Sequence, residues 1–404
     1  MGSLRQGRVV GPVVGVLWLL VVATAVAVAM SFATGAGFRP GLVGSVLIGV
    51  GVGAAAPVLR KGWALVLLAA AAALVLGLAG LGPVRADPEV TLMQRVAAAA
   101  LLGAGAGLPI SAMLRGMPAG AMTRHEFEEV VIRFLTGFGY LFFTAIVVIP
   151  FYVMVMTSLK SQQALMQNPL DFSIDLGRGT DLFRSYRELF QEFHFGRYLT
   201  TSFVISVLTV AITLLVSVPG AYAVARLRFR GRTALSRSIL LIYMVPMIVV
   251  ALPIYIAFSM TGLRNSLFGL VLIYPVTTIP VSLYMLQGYF RGLPAEVEEA
   301  GLMDGLTRLQ VIWKITLPLS LPALASVSLY VFMIAWNEFL LAFMLLDDPS
   351  KFTLTRGVAM LNSSEVPRQH LMAGAVIATL PIMALFLGLE KFMTRGLTAG
   401  AVKG

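Results

Sequence analysis

Ten long apolar runs constrain this chain more than any other feature. They span 9–38, 40–59, 63–82, 96–114, 134–159, 199–225, 238–263, 265–290, 315–346 and 371–389, and only one holds a charged residue, Glu338. A membrane-crossing helix needs about 20 mostly apolar residues. Backbone amides find no water in hydrocarbon, and no period-2 alternation is present, so the runs predict helices and not barrel strands. Composition agrees: 58% of residues are hydrophobic and 12% charged, against roughly 25% charged in soluble domains. So few charges cannot clothe a soluble surface of 404 residues. The expected fold class is therefore all-α, a polytopic membrane protein with about ten transmembrane helices. The first run is too long for a signal peptide, and further spans follow closely.

The net charge of +11 would suggest nucleic acid in a soluble protein. Here it tracks the connections. With the N-terminus inside, 18 of the 30 basic residues fall on inner loops, five of them Arg226, Arg228, Arg230, Arg232 and Arg237. A basic loop of that density is hard to translocate, so both termini are expected in the cytoplasm of a multi-pass plasma (inner) membrane protein, with lipid and no nucleic acid as its surroundings. There is no cysteine, and the three histidines, His125, His194 and His370, stand far apart. That excludes disulfides and thiolate chemistry and leaves no metal set to expect. No residues are expected to be catalytic.

Composition shifts near residue 122. Residues 1–122 are mostly Ala, Gly, Val and Leu in four runs, an N-terminal hydrophobic extension without visible chemistry. Residues 123–404 hold six runs. Thr123 with Glu126 three residues later predicts a capping box at the start of this part. Two polar segments, 161–196 and 347–370, are expected on the outer side, either as solvated connectors or facing a partner. Prolines inside the runs (Pro150, Pro219, Pro246, Pro253, Pro275, Pro280 and Pro381) predict bent helices.

The segment 289–318 is the most informative. Pro294 and the acids Glu296, Glu298 and Glu299 suit the first turn of a short helix. Val297, Ala300 and Met303/Asp304 recur at helical spacing, and Gly305 suits the stop. A second short helix is expected over 307–316, ending before Pro318. A helix with acids and a small apolar side is suited to dock on another protein. An interfacial lipid helix would present Lys or Arg, and none occurs between Pro294 and Leu306.

Glu299-Ala300-Gly301, then Gly305, then Ile315-Thr316-Leu317-Pro318, resemble the EAA loop of ABC importer permeases. Gly301 departs from that pattern, which has Ala there. Residues 219–231, Trp336-Asn337-Glu338-Phe339-Leu340 and 397–404 are similar to the carbohydrate-uptake branch, in particular to its second maltose/maltodextrin-type permease. The resemblance covers about residues 130–404. It implies a six-helix permease core and a binding-protein-dependent, ATP-driven importer of a sugar or oligosaccharide, an alpha-glucoside such as maltose or trehalose. It implies a second permease subunit as hetero-dimer partner, two ATPase subunits and an extracytoplasmic sugar-binding protein. It places Glu298, Glu299, Ala300, Gly301, Asp304, Gly305, Ile315, Leu317 and Pro318 at the contact with the ATPase.

The chain itself lacks the Gly-x4-Gly-Lys-Ser/Thr loop that cradles phosphate. No cofactor is expected on it. ATP and Mg belong to the partner ATPase, and the chain is expected not to be an enzyme. Glu338 costs about 2.5–3.5 kcal/mol in a span unless it faces protein or water. Either Trp336, Asn337 and Glu338 line a translocation pathway, or Glu338 fixes the bundle through an interhelical hydrogen bond. An ion-coupled secondary transporter is the alternative class.

Overall fold

In a computed structural model, residues 5–59, 61–168 and 171–401 are described. The chain forms two compact units, Met1–Phe183 and Arg184–Gly404. Position 404 and its two predecessors, the end of the resemblance at 397–404, lie outside the described residues.

The first unit holds α1 (Gly7–Thr34), α2 (Leu42–Leu59), α3 (Gly62–Leu78), α4 (Leu92–Met113), α5 (Arg124–Ser158) and the short α6 (Gln162–Gln167). Two three-residue strands, β1 (Phe38–Pro40) and β2 (Val84–Ala86), pair antiparallel with Arg39 opposite Arg85. This pairing is absent from the sequence reading, because three residues give no readable alternation. Helices α1 to α4 pack through small residues. A side chain at Gly15 would collide with the Gly49 carbonyl, so these two backbones touch directly. The Thr123–Glu126 capping box forms as expected: Thr123 N donates to Glu126 (2.7 Å) and Glu126 N donates to Thr123 Oγ1 (3.2 Å). Helix α5 runs for 35 residues, yet only Val130 and Ser158 are buried.

The second unit holds α7 (Arg184–Gln191), α8 (Phe195–Arg226), α9 (Arg232–Tyr243), α10 (Met247–Met260), α11 (Leu267–Gly292), α12 (Ala295–Met303), α13 (Arg308–Val311), α14 (Leu317–Leu319), α15 (Leu321–Asn337), α16 (Leu340–Leu345), α17 (Leu354–Met360) and α18 (Arg368–Ala401). Helix α8 carries a buried seam of hydroxyls, Ser202, Ser206, Thr209, Thr213 and Ser217. Thr213 meets Thr278 of α11 at 2.7 Å. Hydroxyls of this kind hold helices together where lipid supplies no hydrophobic drive.

The ten apolar runs are all helical, but not as ten uniform spans. Among the described residues, seven helices are long and apolar enough to cross a membrane, and an eighth if a pair bent by 76° counts as one span. Helices α3 and α10 are apolar but shorter. The run 238–263 is divided because Pro246 disfavours helix at the residue before it, and a new helix begins at Met247. The run 315–346 breaks three times. The turn Ile312–Thr316 widens to a π-helix in which Leu317 N donates to Ile312 O. The cause is Pro318, which lacks an N–H and whose ring crowds the carbonyl four residues back. The helix therefore continues through Pro318 to Leu319, and does not end before it. The bend at Ser320 follows, and the last break falls at Glu338.

Candidate functional site

Helix α12 lies between two backbone stops. Pro294 is its N-cap residue, and Gly305, with φ +83°, takes the left-handed turn after its end. Leu306 N closes the turn on Gly301 O at 3.1 Å. Thr307 then caps α13: Thr307 N donates to Gln310 Oε1 at 2.8 Å. Both ends of the helix are thus fixed, as a short element needs to be if it is to transmit displacement.

The two acids in the middle of α12 part company. Glu298 turns inward and is 9% exposed. Thr316 Oγ1 donates to its Oε1 at 3.0 Å and the Tyr222 hydroxyl donates to its Oε2 at 3.3 Å. Arg226 Nε lies 3.5 Å from Oε1, and Arg226 Nη2 donates to Leu293 O at 2.6 Å. One carboxylate thereby ties α12 to the end of α8 and to the π-turn. Gly301 also faces inward. A Cβ there would stand 2.5 Å from Ile315 Cδ1. The methyl end of Ile315 lies where an Ala Cβ would stand, and Ala there would require only that this flexible end turn aside. Leu317 is half-buried, and Pro318 is exposed.

The opposite face is open. Glu299, Ala300 and Asp304 are exposed. Beside them stand Met303 at 88%, Leu309 at 66% and Trp313 at 68% exposure. Of the residues assigned to the partner contact, the structure therefore presents Glu299, Ala300, Asp304, Gly305 and Pro318 outward. It assigns Glu298 and Gly301 to the base of the loop, where they hold it. Leu309 and Trp313 were missed because their neighbours give no amphipathic period once the helix changes to a π-turn. Tyr222, Arg226 and Thr316 were missed because they come together only through folding across 18 to 76 residues.

At the far end of α15, Trp336 is 2% exposed. Its indole N–H donates to Ala378 O of α18 at 3.0 Å, and its ring stacks on Phe332. It anchors two helices. Asn337 is exposed, and its Nδ2 donates to Met333 O at 2.9 Å. Glu338 ends α15, and its carboxylate accepts from Leu341 N (2.8 Å) and Ala342 N (3.1 Å). Thr355 Oγ1 donates to the Glu338 carbonyl at 2.7 Å. The lone intramembrane acid thus serves a helix break, capping free amides that hydrocarbon would leave unpaired.

These features define a polytopic permease core with a rigid loop that is latched on one face and open on the other. The description "binding-protein-dependent transport system inner membrane component" matches residues 216–398. The inner membrane ABC transporter permease protein YcjP of Escherichia coli is 36% identical over 270 residues, covering 66% of this chain and 95% of that protein. The trehalose/maltose transport system permease protein MalG of Thermococcus litoralis is 33% identical, covering 69% and 99%. A crystal structure of a bacterial ABC transporter involved in alginate import matches with a TM-score of 0.56 at 23% identity, over 67% of this chain and 98% of that one, and shows the fold. The chain belongs to the family of inner membrane components of binding-protein-dependent transport systems, and is an ABC importer permease. This membership implies a partner permease, ATPases and a substrate-binding protein. It sets aside the ion-coupled secondary transporter.

Proposed function

We propose that this permease moves a sugar or short oligosaccharide of the alpha-glucoside class, such as maltose or trehalose, inward across the plasma membrane. The relatives support the class: permeases named for trehalose/maltose, trehalose and maltodextrin transport are 33%, 36% and 30% identical to it. Two ATPase subunits bind ATP and Mg, and one docks on the loop 289–318. A second permease completes a hetero-dimer, for which the uncovered surface of α5 is suited. An extracytoplasmic binding protein delivers the sugar. Both termini and the basic loop are cytoplasmic.

The observation that carries this reading is the two-sided loop. Its base is locked through Glu298, Arg226, Tyr222 and Thr316, and its open face carries Glu299, Ala300 and Met303. Closure of the ATPases pushes on the open face, and the latch passes that displacement to α8 and to the π-turn below α15. In the reconstituted complex, labelled maltose or trehalose should accumulate with ATP and still accumulate when the proton gradient is collapsed. Uptake that needs no ATP, or is abolished with the gradient, would refute the proposal.

A further inference from the structure

At the end of the second unit away from the loop, a cation is held between two aromatic rings without an acid. The Arg356 guanidinium carbon lies 4.3 Å from the Phe343 ring centroid and 4.8 Å from that of Phe352. Its Nε is buried and accepted by nothing. Among the described residues no ion pair includes Arg356. The neighbouring cations differ: Arg264 reaches Asp347 at 2.7 Å, and Lys351 lies 3.7 Å from Asp348. A buried N–H without an acceptor is costly unless something else meets it.

The stack is graded. On its inner side Phe352 and Tyr198 are buried, 6.2 Å apart between ring centroids. On its outer side Phe343 is 49% exposed and Phe339, 5.3 Å from it, is 41% exposed. Phe339 and Phe343 flank and enter α16, the helix that begins at the Glu338 break. Exposed Asn337 precedes that break. The fold therefore places two partly exposed rings beside a rigid fork of N–H donors. Ring faces with a few fixed polar groups are the usual composition of a small-molecule site. The rings hold the guanidinium in place, so little side-chain freedom is lost when its donors bind.

We infer that Phe339, Phe343 and Arg356 form a saccharide contact at the outer end of the pathway, with a pyranose face on the rings and its hydroxyls accepting from Arg356. The inference rests on the proposed transport of sugar. It assigns direct substrate contact to this subunit, and places it at these three residues and not at Trp336.

The test uses the assembled importer in detergent, with ATPase subunits trapped by vanadate and radiolabelled maltose and trehalose as probes. Retained saccharide and binding-protein-stimulated ATP hydrolysis are both measured. Arg356→Gln should lower retained saccharide about tenfold or more, the loss expected of hydrogen bonds to a charged group. Phe343→Leu should lower it about threefold. ATP hydrolysis in each variant checks that the complex has assembled. If Arg356→Gln fails to assemble, Arg356→Lys keeps the cation but loses the planar fork, and should show the same loss. Full retention in either assembled variant would overturn the contact and leave the stack as a clasp between α16 and α17. A wild-type complex that hydrolyses ATP but retains and transports neither probe would overturn the sugar reading, and the contact with it.

Discussion

The first unit and the second answer the same solvent in opposite ways. Helices α1 to α4 close their gaps with backbone: Gly15 sits against Gly49, and nothing larger fits. The second unit leaves its helices interrupted and meets several of the free ends with side chains. Glu338 caps α16, Arg232 donates to the carbonyls of Val224 and Ala225 at 2.7 and 2.8 Å, and Glu298 clasps the base of the loop. A bundle packed backbone to backbone has one arrangement. A bundle held by polar clasps can exchange them, which is what alternating access asks of it. The difference teaches where movement is built in and where it is not.

Removing the loop clasp should have the largest effect. Glu298→Ala leaves Arg226 without its acid in a site where both side chains are under 15% exposed. Loss of one partner from a buried pair costs about 3–5 kcal/mol. ATP hydrolysis by docked ATPases should persist while sugar movement per ATP falls, and Glu298→Ala with Arg226→Met should recover part of the loss. Equal transport per ATP in Glu298→Ala would show that the clasp does not transmit force. Next, Gly15→Leu should destabilise the first unit by about 1–3 kcal/mol through overpacking. Thermal unfolding of the full chain in detergent reads this, and an unchanged profile would contradict backbone contact there. Glu338→Gln keeps one acceptor of the two that meet Leu341 and Ala342. It should cost about 1 kcal/mol and lower uptake a few-fold without changing the order of substrates.

The smallest effect concerns the outer end of the second unit, where His370 Nε2 stands 2.6 Å from Glu188 and Arg184 Nε 2.7 Å from it. Burial pushes the Glu188 carboxyl upward, but its hydrogen bonds to Arg184 and His370 more than offset this and hold it below the ordinary glutamate range. A depressed carboxylate contributes stability above its unfolded value and loses it as pH falls through the folded one. Acidification below the ordinary glutamate range should therefore loosen α7 from α18, seen as faster amide exchange in α7. Glu188→Gln should flatten that dependence.

Much of this was legible in residues. The uncharged runs gave the helices, because hydrocarbon admits few alternatives. The Glu299-to-Pro318 spacing located the loop, because helix stops and starts leave Pro and Gly at fixed places. Which acid faces inward was not legible. Glu298 and Glu299 are adjacent and chemically alike, and only the return of α8, with Tyr222 and Arg226, decides between them. Glu338 was visible as an anomaly, but its use was hidden because a helix break inside an apolar run has no period of its own. The stacking of Phe343 on Arg356 was likewise invisible, since the two residues come from different helices, α16 and α17.

The chain contains no cysteine, so one introduced thiol is unique and reports directly on the central claim that the loop has an inner and an outer face. Met303→Cys and, separately, Thr316→Cys should be labelled with a maleimide in the complex with and without its ATPase subunits. At Met303 (88% exposed) labelling should be fast without the ATPase and strongly protected by it. At Thr316 (1% exposed) it should be slow in both states. Equal labelling of Met303→Cys with and without stoichiometric ATPase would contradict the account.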